Sequence, residues 1–399
     1  MNRVLSIAFC ALVLGVGVAE AKDRSFADDV AFLKKHSGVI VLKGESGAAV
    51  AVVPKYQCRV MTSAADAAKG EGFGWINYDF IQKGKLVPHI NVFGGEDRFW
   101  LGPEGGQYSI FFKDRSEFDL DHWQTPAPID SEAYKVVKQS SNSVTAVHNF
   151  NLTNYSGSQF KVGVTRTISM LSMADAKKDL GIGDVTGVKC VAFASTNTVT
   201  NRGSNTWDQL SGMLSIWILG MYKPSDQTNI VLPFNSSADG PIVNDTYFGK
   251  VPADRLKTTA DHIFFKGDGK YRSKIGLPPA RAMGVVGSYD VGRNLLTIVT
   301  HTFDKSATDY VNSMWELQDK PFSGDVLNSY NDGPPKPGAK PLGPFYELET
   351  SSPALNLEAG GSHTHVSKTY HFTGSREQLD MISKKVLGID LDDVASAFK

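Results

Sequence analysis

Glu347 and Glu349, in the run Phe345-Tyr346-Glu347-Leu348-Glu349-Thr350, are the residues of this chain best spaced for acid/base chemistry. Two apart on a strand, they share one face, while Tyr346 and Leu348 take the other. Buried side by side, two carboxylates repel and at least one pKa rises, which is the condition for a general acid or base. Solvated, they are ordinary surface charges. A second candidate is Gly94-Gly95-Glu96-Asp97-Arg98-Phe99-Trp100-Leu101-Gly102-Pro103-Glu104-Gly105-Gly106, where Glu96, Asp97 and Arg98 stand beside an aromatic pair between glycines. Carbohydrate sites use this mixture, because planar charged groups fork onto vicinal hydroxyls and an aromatic face stacks on sugar C–H bonds. The plain alternative is a surface turn whose acids and arginine pair in solvent.

Three weaker constellations follow. Trp315 to Asp332 is crowded with Asn and Asp, among them Asp325 and Asn331. Such side chains commonly cap turns, and the sharper reading is a sugar or calcium site. No cofactor is expected beyond a structural calcium. His363-Thr364-His365, with His371 on the same parity, has chelate spacing but no carboxylate ligand beside it, so a polar strand face is preferred to zinc and no metal site is assigned. Of the six tryptophans, Trp217 reads as core, whereas Trp75 near Asn77 and Trp123 next to His122 sit in polar, turn-like contexts. Asn77, His122 and Trp123 therefore join the candidate binding residues.

The chain that must position these groups has 399 residues, 41 Lys+Arg against 42 Asp+Glu, and a net charge of -1. Without a basic cluster it has no footprint for nucleic acid. There is no Gly-x-Ser-x-Gly, no phosphate-cradling glycine loop with Lys and no His-Glu-x-x-His, and Gly181-Ile182-Gly183 lacks the third glycine of a dinucleotide turn. Arg3, the apolar run Val4 to Val18 and Ala19-Glu20-Ala21 read as a signal peptide over residues 1–21, shorter than the ~20 apolar residues of a spanning helix. The expectation is an exported protein, periplasmic or extracellular, with no membrane span. Cys58 and Cys190 remain after cleavage, as a disulfide or as two buried thiols.

Short apolar or alternating runs bounded by Gly, Asn and Ser predict strands at Val39–Leu42, Ala49–Val53, Ser109–Lys113, Tyr134–Lys138, Ser143–Leu152, Phe160–Leu171, Val188–Thr200, Met213–Leu219, Ile230–Phe234, Ala282–Tyr289, Leu295–Thr302, Phe345–Thr350 and Val366–Phe372. Asp268-Gly269 reads as a hairpin turn. Helical patterns fall at Asp28–Lys35, at Met173–Leu180 and in a tail over 375–399. The expected architecture is all-β: one large antiparallel domain over residues 22–399, with short helices at both ends.

With Gly95 to Trp100, Asn154 followed by a strand with Arg166, then Asn197 and Asn201 before Trp207, the Glu347/Glu349 strand and Gly360-Gly361 before the last strand, the chain from about Val39 to Phe372 resembles the galactose-mutarotase-like superfamily. More closely it is similar to an exported bacterial branch whose domain has no assigned function. The resemblance implies a β-supersandwich. In the aldose 1-epimerases of that superfamily a late-strand Glu takes the anomeric proton, a mid-chain His protonates the ring oxygen and an early Arg binds the sugar. Arg98 matches the arginine, and Glu349 or Glu347 the glutamate. The matching mid-chain strand reads Ser215-Ile216-Trp217-Ile218-Leu219 without a histidine, so His301 or His122 would have to supply the acid. The expectation is a monomer with a carbohydrate ligand, bound by Glu96, Asp97, Arg98, Asn77, His122, Trp123, Asp325 and Asn331, with Glu349, Glu347 and His301 as catalytic candidates. A non-catalytic glycan-binding protein and a glycoside hydrolase or lyase are the alternatives.

Overall fold

The computed structural model describes residues 24–399, so the expected leader lies outside the described residues. In chain order the elements are α1 (Phe26–His36), β1 (Ile40–Lys43), β2 (Ala49–Val53), β3 (Arg59–Ala64), α2 (Tyr78–Lys83), β4 (Arg98–Gly102), α3 (Ala127–Asp130), β5 (Lys135–Gln139), β6 (Ser143–Thr153), β7 (Gln159–Leu171), α4 (Met173–Leu180), β8 (Lys189–Asn201), β9 (Ser215–Tyr222), β10 (Thr228–Pro233), β11 (Leu256–Thr258), β12 (His262–Lys266), β13 (Ser273–Leu277), β14 (Val285–Asp290), β15 (Leu295–His301), β16 (Leu327–Asn331), β17 (Tyr346–Ser351), β18 (Ser362–Thr373), α5 (Arg376–Val386) and α6 (Leu391–Ser396).

The strands form three antiparallel sheets: β1-β2-β3, a ten-stranded sheet in the order β11-β12-β10-β14-β15-β18-β8-β7-β6-β5, and a five-stranded sheet in the order β13-β16-β17-β9-β4. The period of two decides what each strand buries. In β7, Phe160, Val162, Val164, Arg166 and Ile168 face inward while Gln159, Lys161 and Thr165 are exposed. Phe99, Ile216 and Ile218 share a core with Val162, Val164 and Phe193, joining the five-stranded sheet to the ten-stranded one. Polar ties cross the same layer, from Thr350 Oγ1 to His365 Nε2 at 2.9 Å and between the Ser288 and Tyr346 hydroxyls at 2.8 Å. On its other face the large sheet carries α5 and α6, which pack Leu379, Ile382, Leu391 and Val394 against Tyr370 and Phe372. β18 is therefore covered on both sides, and the all-β supersandwich with terminal helices is the observed fold.

Two local expectations give way, and one open alternative is decided. Ser109–Lys113 has no strand partner; its Phe111 and Phe112 instead pack on Trp100 and Trp315, so burial rather than pairing explains the apolar run. Asp268-Gly269 is no hairpin turn, because β12 lies in the ten-stranded sheet and β13 in the five-stranded one. Gly269 turns there with φ +67°, and its N–H donates to Asn331 Oδ1 at 2.8 Å. Cys58 and Cys190 are free thiols, pushed up by burial to about 11 and about 12. No helix among the described residues is long and apolar enough to cross a membrane.

Candidate functional site

The register of the five-stranded sheet assembles a site on its outer face. One row reads Lys274–Tyr330–Glu347–Met221 across β13, β16, β17 and β9. The next reads Asn328–Glu349–Leu219–Arg98, and a third Ser351–Trp217–Trp100. Rows two residues apart share a face, so two carboxylates, two cations and two tryptophans converge. Loops close over them: His89, Glu104, Asp121 and Trp123 come from one side, and Phe248, Trp315 and residues 333–342 from the other. They enclose a cavity of about 320 Å³, within the range of small-molecule sites.

Both glutamates are buried and each has a cation. Arg98 Nη2 donates to Glu347 Oε1 at 2.9 Å, with its guanidinium 4.1 Å from the centre of Trp100. Lys274 Nζ lies 3.0 Å from Glu349 Oε2, which also accepts from Trp217 Nε1 at 2.9 Å. Burial pushes the Glu347 carboxyl above the usual range; Arg98 opposes this and Glu349 adds to it. Glu104 is raised by burial too, against the pull of Lys274. His89 is the one histidine lining the cavity, and it is exposed at the mouth. Its Nδ1 lies 2.7 Å from the Trp123 carbonyl oxygen, which can only accept, so Nδ1 carries the proton and Nε2 is left for a ligand.

Several polar atoms at this site have no protein partner. Glu349 Oε1, Arg98 Nε and the indole N–H groups of Trp100 and Trp123 are all buried and unpartnered among the described residues, while that of Trp315 faces Glu104. Buried polar groups are nearly always satisfied, and those left over here border an open cavity, whereas others such as Glu96 Oε1 and Asp97 Oδ2 lie between the sheets.

Of the candidate catalytic and binding residues named from the sequence, Arg98, Trp123, Glu347 and Glu349 line the cavity and the others do not, while Trp217, read as core, lines it too. Gly94 and Gly95, at φ +90° and +107°, turn the chain so tightly that a Cβ on Gly94 would stand 2.2 Å from the Trp75 carbonyl oxygen. This turn sends Glu96 and Asp97 into the layer between the sheets before β4 begins. Glu96 Oε2 accepts from Ser63 Oγ at 3.0 Å and lies 2.6 Å from His371 Nε2. Asp97 pairs with Arg166, which donates to Asn197 Oδ1 at 2.9 Å. Asn77 caps α2 by accepting from the Phe80 N–H at 3.1 Å. His122 is exposed and bonded to Asp119 at 2.7 Å. Asp325 accepts from Tyr247 Oη at 2.5 Å and is pushed by burial up to about 6.

Asn331 ties down the crossover, accepting from Gly269 and donating to the Tyr271 carbonyl at 2.9 Å. These caps and ties also account for the Asn- and Asp-rich run. His301 belongs to β15 of the ten-stranded sheet, stacks 5.4 Å from His365 and is pushed down by burial to about 4. His371 is held between Glu96 and Thr297 Oγ1, at 2.8 Å from the latter, and among the described residues no three His, Cys, Asp or Glu side chains gather to hold a metal. Sequence reasoning passed over Lys274, Arg272 and His89 as site residues. The one signal for the first two was their spacing of two, as in Glu347 and Glu349.

The family model described as "Family of unknown function (DUF6786)" matches residues 24–398. No curated protein matches the chain. Among solved structures, the Slr1438 protein from Synechocystis sp. PCC 6803 is 12% identical, with 84% of this chain and 96% of that chain covered and a TM-score of 0.51. A candidate aldose 1-epimerase from Klebsiella pneumoniae subsp. pneumoniae MGH 78578 is 9% identical over 88% of this chain and 83% of that one, also with a TM-score of 0.51. Identities this low establish the fold, which is galactose-mutarotase-like, and leave the activity to the site.

Proposed function

The chain belongs to DUF6786, a family of unknown function, and we propose that it binds a saccharide in the tryptophan-walled cavity and performs epimerase-like acid/base chemistry on it. The observation that carries this reading is the set of unpartnered groups around the cavity: a carboxylate oxygen, a guanidinium N–H and two indole N–H groups on aromatic walls. A sugar offers both a hydroxyl rim for such donors and acceptors and a C–H face for the rings. Lys274 and Trp217 hold Glu349 by Oε2 and leave Oε1 free, which suits it as the base. Glu347, raised by burial, suits the acid, and Arg98 stabilises the carboxylate that forms when it gives up its proton.

In that reaction Glu349 takes the anomeric hydroxyl proton, the bond between C1 and the ring oxygen breaks, and the ring oxygen takes the proton of Glu347. Closure on the other face of the aldehyde reverses both transfers. No cofactor is called for. The leader in the sequence supports an exported protein, acting outside the cytoplasm as a monomer. A second reading, non-catalytic glycan binding, is favoured by the four tryptophans of the wall.

NMR of freshly dissolved aldoses and short glycans, with the wild type and Glu349→Gln, tests the proposal. Anomer exchange that accelerates with the wild type and vanishes with the variant is expected. Line broadening without exchange would leave the binding reading, and silence from every sugar would overturn both.

A further inference from the structure

Four cations, Arg98, Arg272, Lys274 and Lys340, line the cavity with five carboxylates, and only two of the four are ion-paired to them. Arg98 is taken by Glu347 and Lys274 by Glu349. Arg272, two residues before Lys274, lines the same cavity half-buried, and no described carboxylate lies within ion-pairing distance of it. Its guanidinium is stacked 3.7 Å from the centre of the Phe248 ring. Asp332, its acidic neighbour, is committed elsewhere: Oδ1 accepts from Tyr330 Oη at 2.7 Å and Oδ2 from the Gly343 N–H at 2.8 Å. Lys340, exposed on the 333–342 loop, also reaches the cavity and has no ion pair among the described residues.

An arginine stacked on an aromatic face keeps the donors along its edge, in the planar fork that matches a carboxylate or sulfate oxygen pair. Glu104 and Asp332 feel the charge of this fork and the Tyr330 hydroxyl meets it, but no carboxylate of the described residues is ion-paired to it, which leaves it able to read an anion on the ligand. Burial shifts Glu104 and Asp332 upward, and Arg272 pulls both back down.

We infer that the saccharide of this site is an acidic one, its carboxylate or sulfate read by Arg272 with Lys340 at the rim. The inference rests on the saccharide reading above and narrows it. Titration calorimetry of the full chain would compare glucuronate, galacturonate and their short oligomers with glucose 6-sulfate and with neutral glucose and galactose oligomers. The acidic sugars are expected to bind at least tenfold more tightly than their neutral counterparts. The ratio should collapse toward one in Arg272→Gln, persist in part in Arg272→Lys, and shrink as salt rises. Preference for uronates over the sulfate, or the reverse, identifies the anion. A thermal melt of each variant separates loss of the fold from loss of the reader, and Lys340→Gln, on an exposed loop, should lower the ratio by a smaller factor. Equal affinity for acidic and neutral sugars, or a ratio unmoved by Arg272→Gln, overturns the inference and leaves the saccharide reading standing. Failure of every sugar to bind overturns both.

Discussion

Glu96, Asp97 and Arg98 are neighbours in sequence and end in two different worlds. Glu96 and Asp97 lie between the sheets, sealed against His371 and Arg166. Arg98 stands on the outer face of the five-stranded sheet, against Glu347 and a cavity of about 320 Å³. Both regions are built from buried acid–base pairs, and their composition does not tell them apart. The interlayer pairs reach Ser63, Thr297 and Asn197 and leave Glu96 Oε1 and Asp97 Oδ2 unpartnered, as the cavity pairs leave Glu349 Oε1 and Arg98 Nε, so the difference is in what lies beside them. One region lies between the sheets and lines no part of that cavity, where its pairs serve the fold; the other faces a space a ligand can fill.

The largest effect that would break this contrast belongs to the cavity. Glu349→Gln keeps an acceptor for Lys274 and Trp217 but removes the basic oxygen, so anomer exchange should fall about 10²–10⁴-fold. Its urea midpoint should move much less than that of the interlayer variant below. A large loss of stability with unchanged turnover would put Glu349 with the structural pairs.

The interlayer predicts the reverse. Arg166→Met leaves Asp97 buried without its cation, and removing one partner of a buried pair costs about 3–5 kcal/mol. Urea unfolding should show a loss of that size, while turnover per folded molecule stays within about threefold. Loss of turnover in a stable Arg166→Met protein would show that the two regions work as one.

How much of this was legible in the sequence follows from the same geometry. Long alternating strands such as β7 and β18 announce themselves, because one face is buried along their whole length. Glu347 and Glu349 were legible as a pair from their spacing alone, which puts them on one face even though β17 is buried at every position. β4 and β16, which carry Arg98 and Tyr330, are buried at every position and only five residues long, so they show no alternation and were read as loops. Lys274 was hidden by a false hairpin: Asp268-Gly269 has the composition of a two-residue turn, yet the chain crosses there from one sheet to the other. His89 has no local signal, since only the Trp123 carbonyl, 34 residues on, places it at the cavity. The resemblance carried the fold, and Arg98 and the glutamates with it. It supplied no acid that the structure puts in the cavity.

The pH dependence sharpens the contrast by a smaller margin. Burial raises Glu347 above its unfolded pKa of about 4.3, so the folded state holds the proton more tightly. Two consequences share that sign. Turnover should fall as pH rises through the raised value, because the acid is then spent, and Glu347→Gln should remove this alkaline limb along with most of the activity. The stability linked to the group is complete below the unfolded pKa and is lost as pH rises toward the folded one, at most about 1.4 kcal/mol per pH unit. A rate profile flat across that range, with binding intact, would deny Glu347 the role of acid.

The smallest effect concerns His301, offered from the sequence with His122 as a substitute for the acid that the resemblance left unmatched. Its ring lies in the ten-stranded sheet beside His365, Nδ1 donates to the Thr302 carbonyl at 3.0 Å, and Nε2 is buried without a partner. Burial pushes it down to about 4, so near neutral pH it holds no proton to give as an imidazolium. His301→Asn should leave anomer exchange within about twofold and shift stability by no more than about 1 kcal/mol, since no bond to another side chain is lost. A proton donor would behave otherwise, its loss costing 10²-fold or more and erasing one limb of the rate profile. A drop of that size would mean that a saccharide reaches the layer between the sheets, and the division between a sealed interlayer and an open cavity would fail.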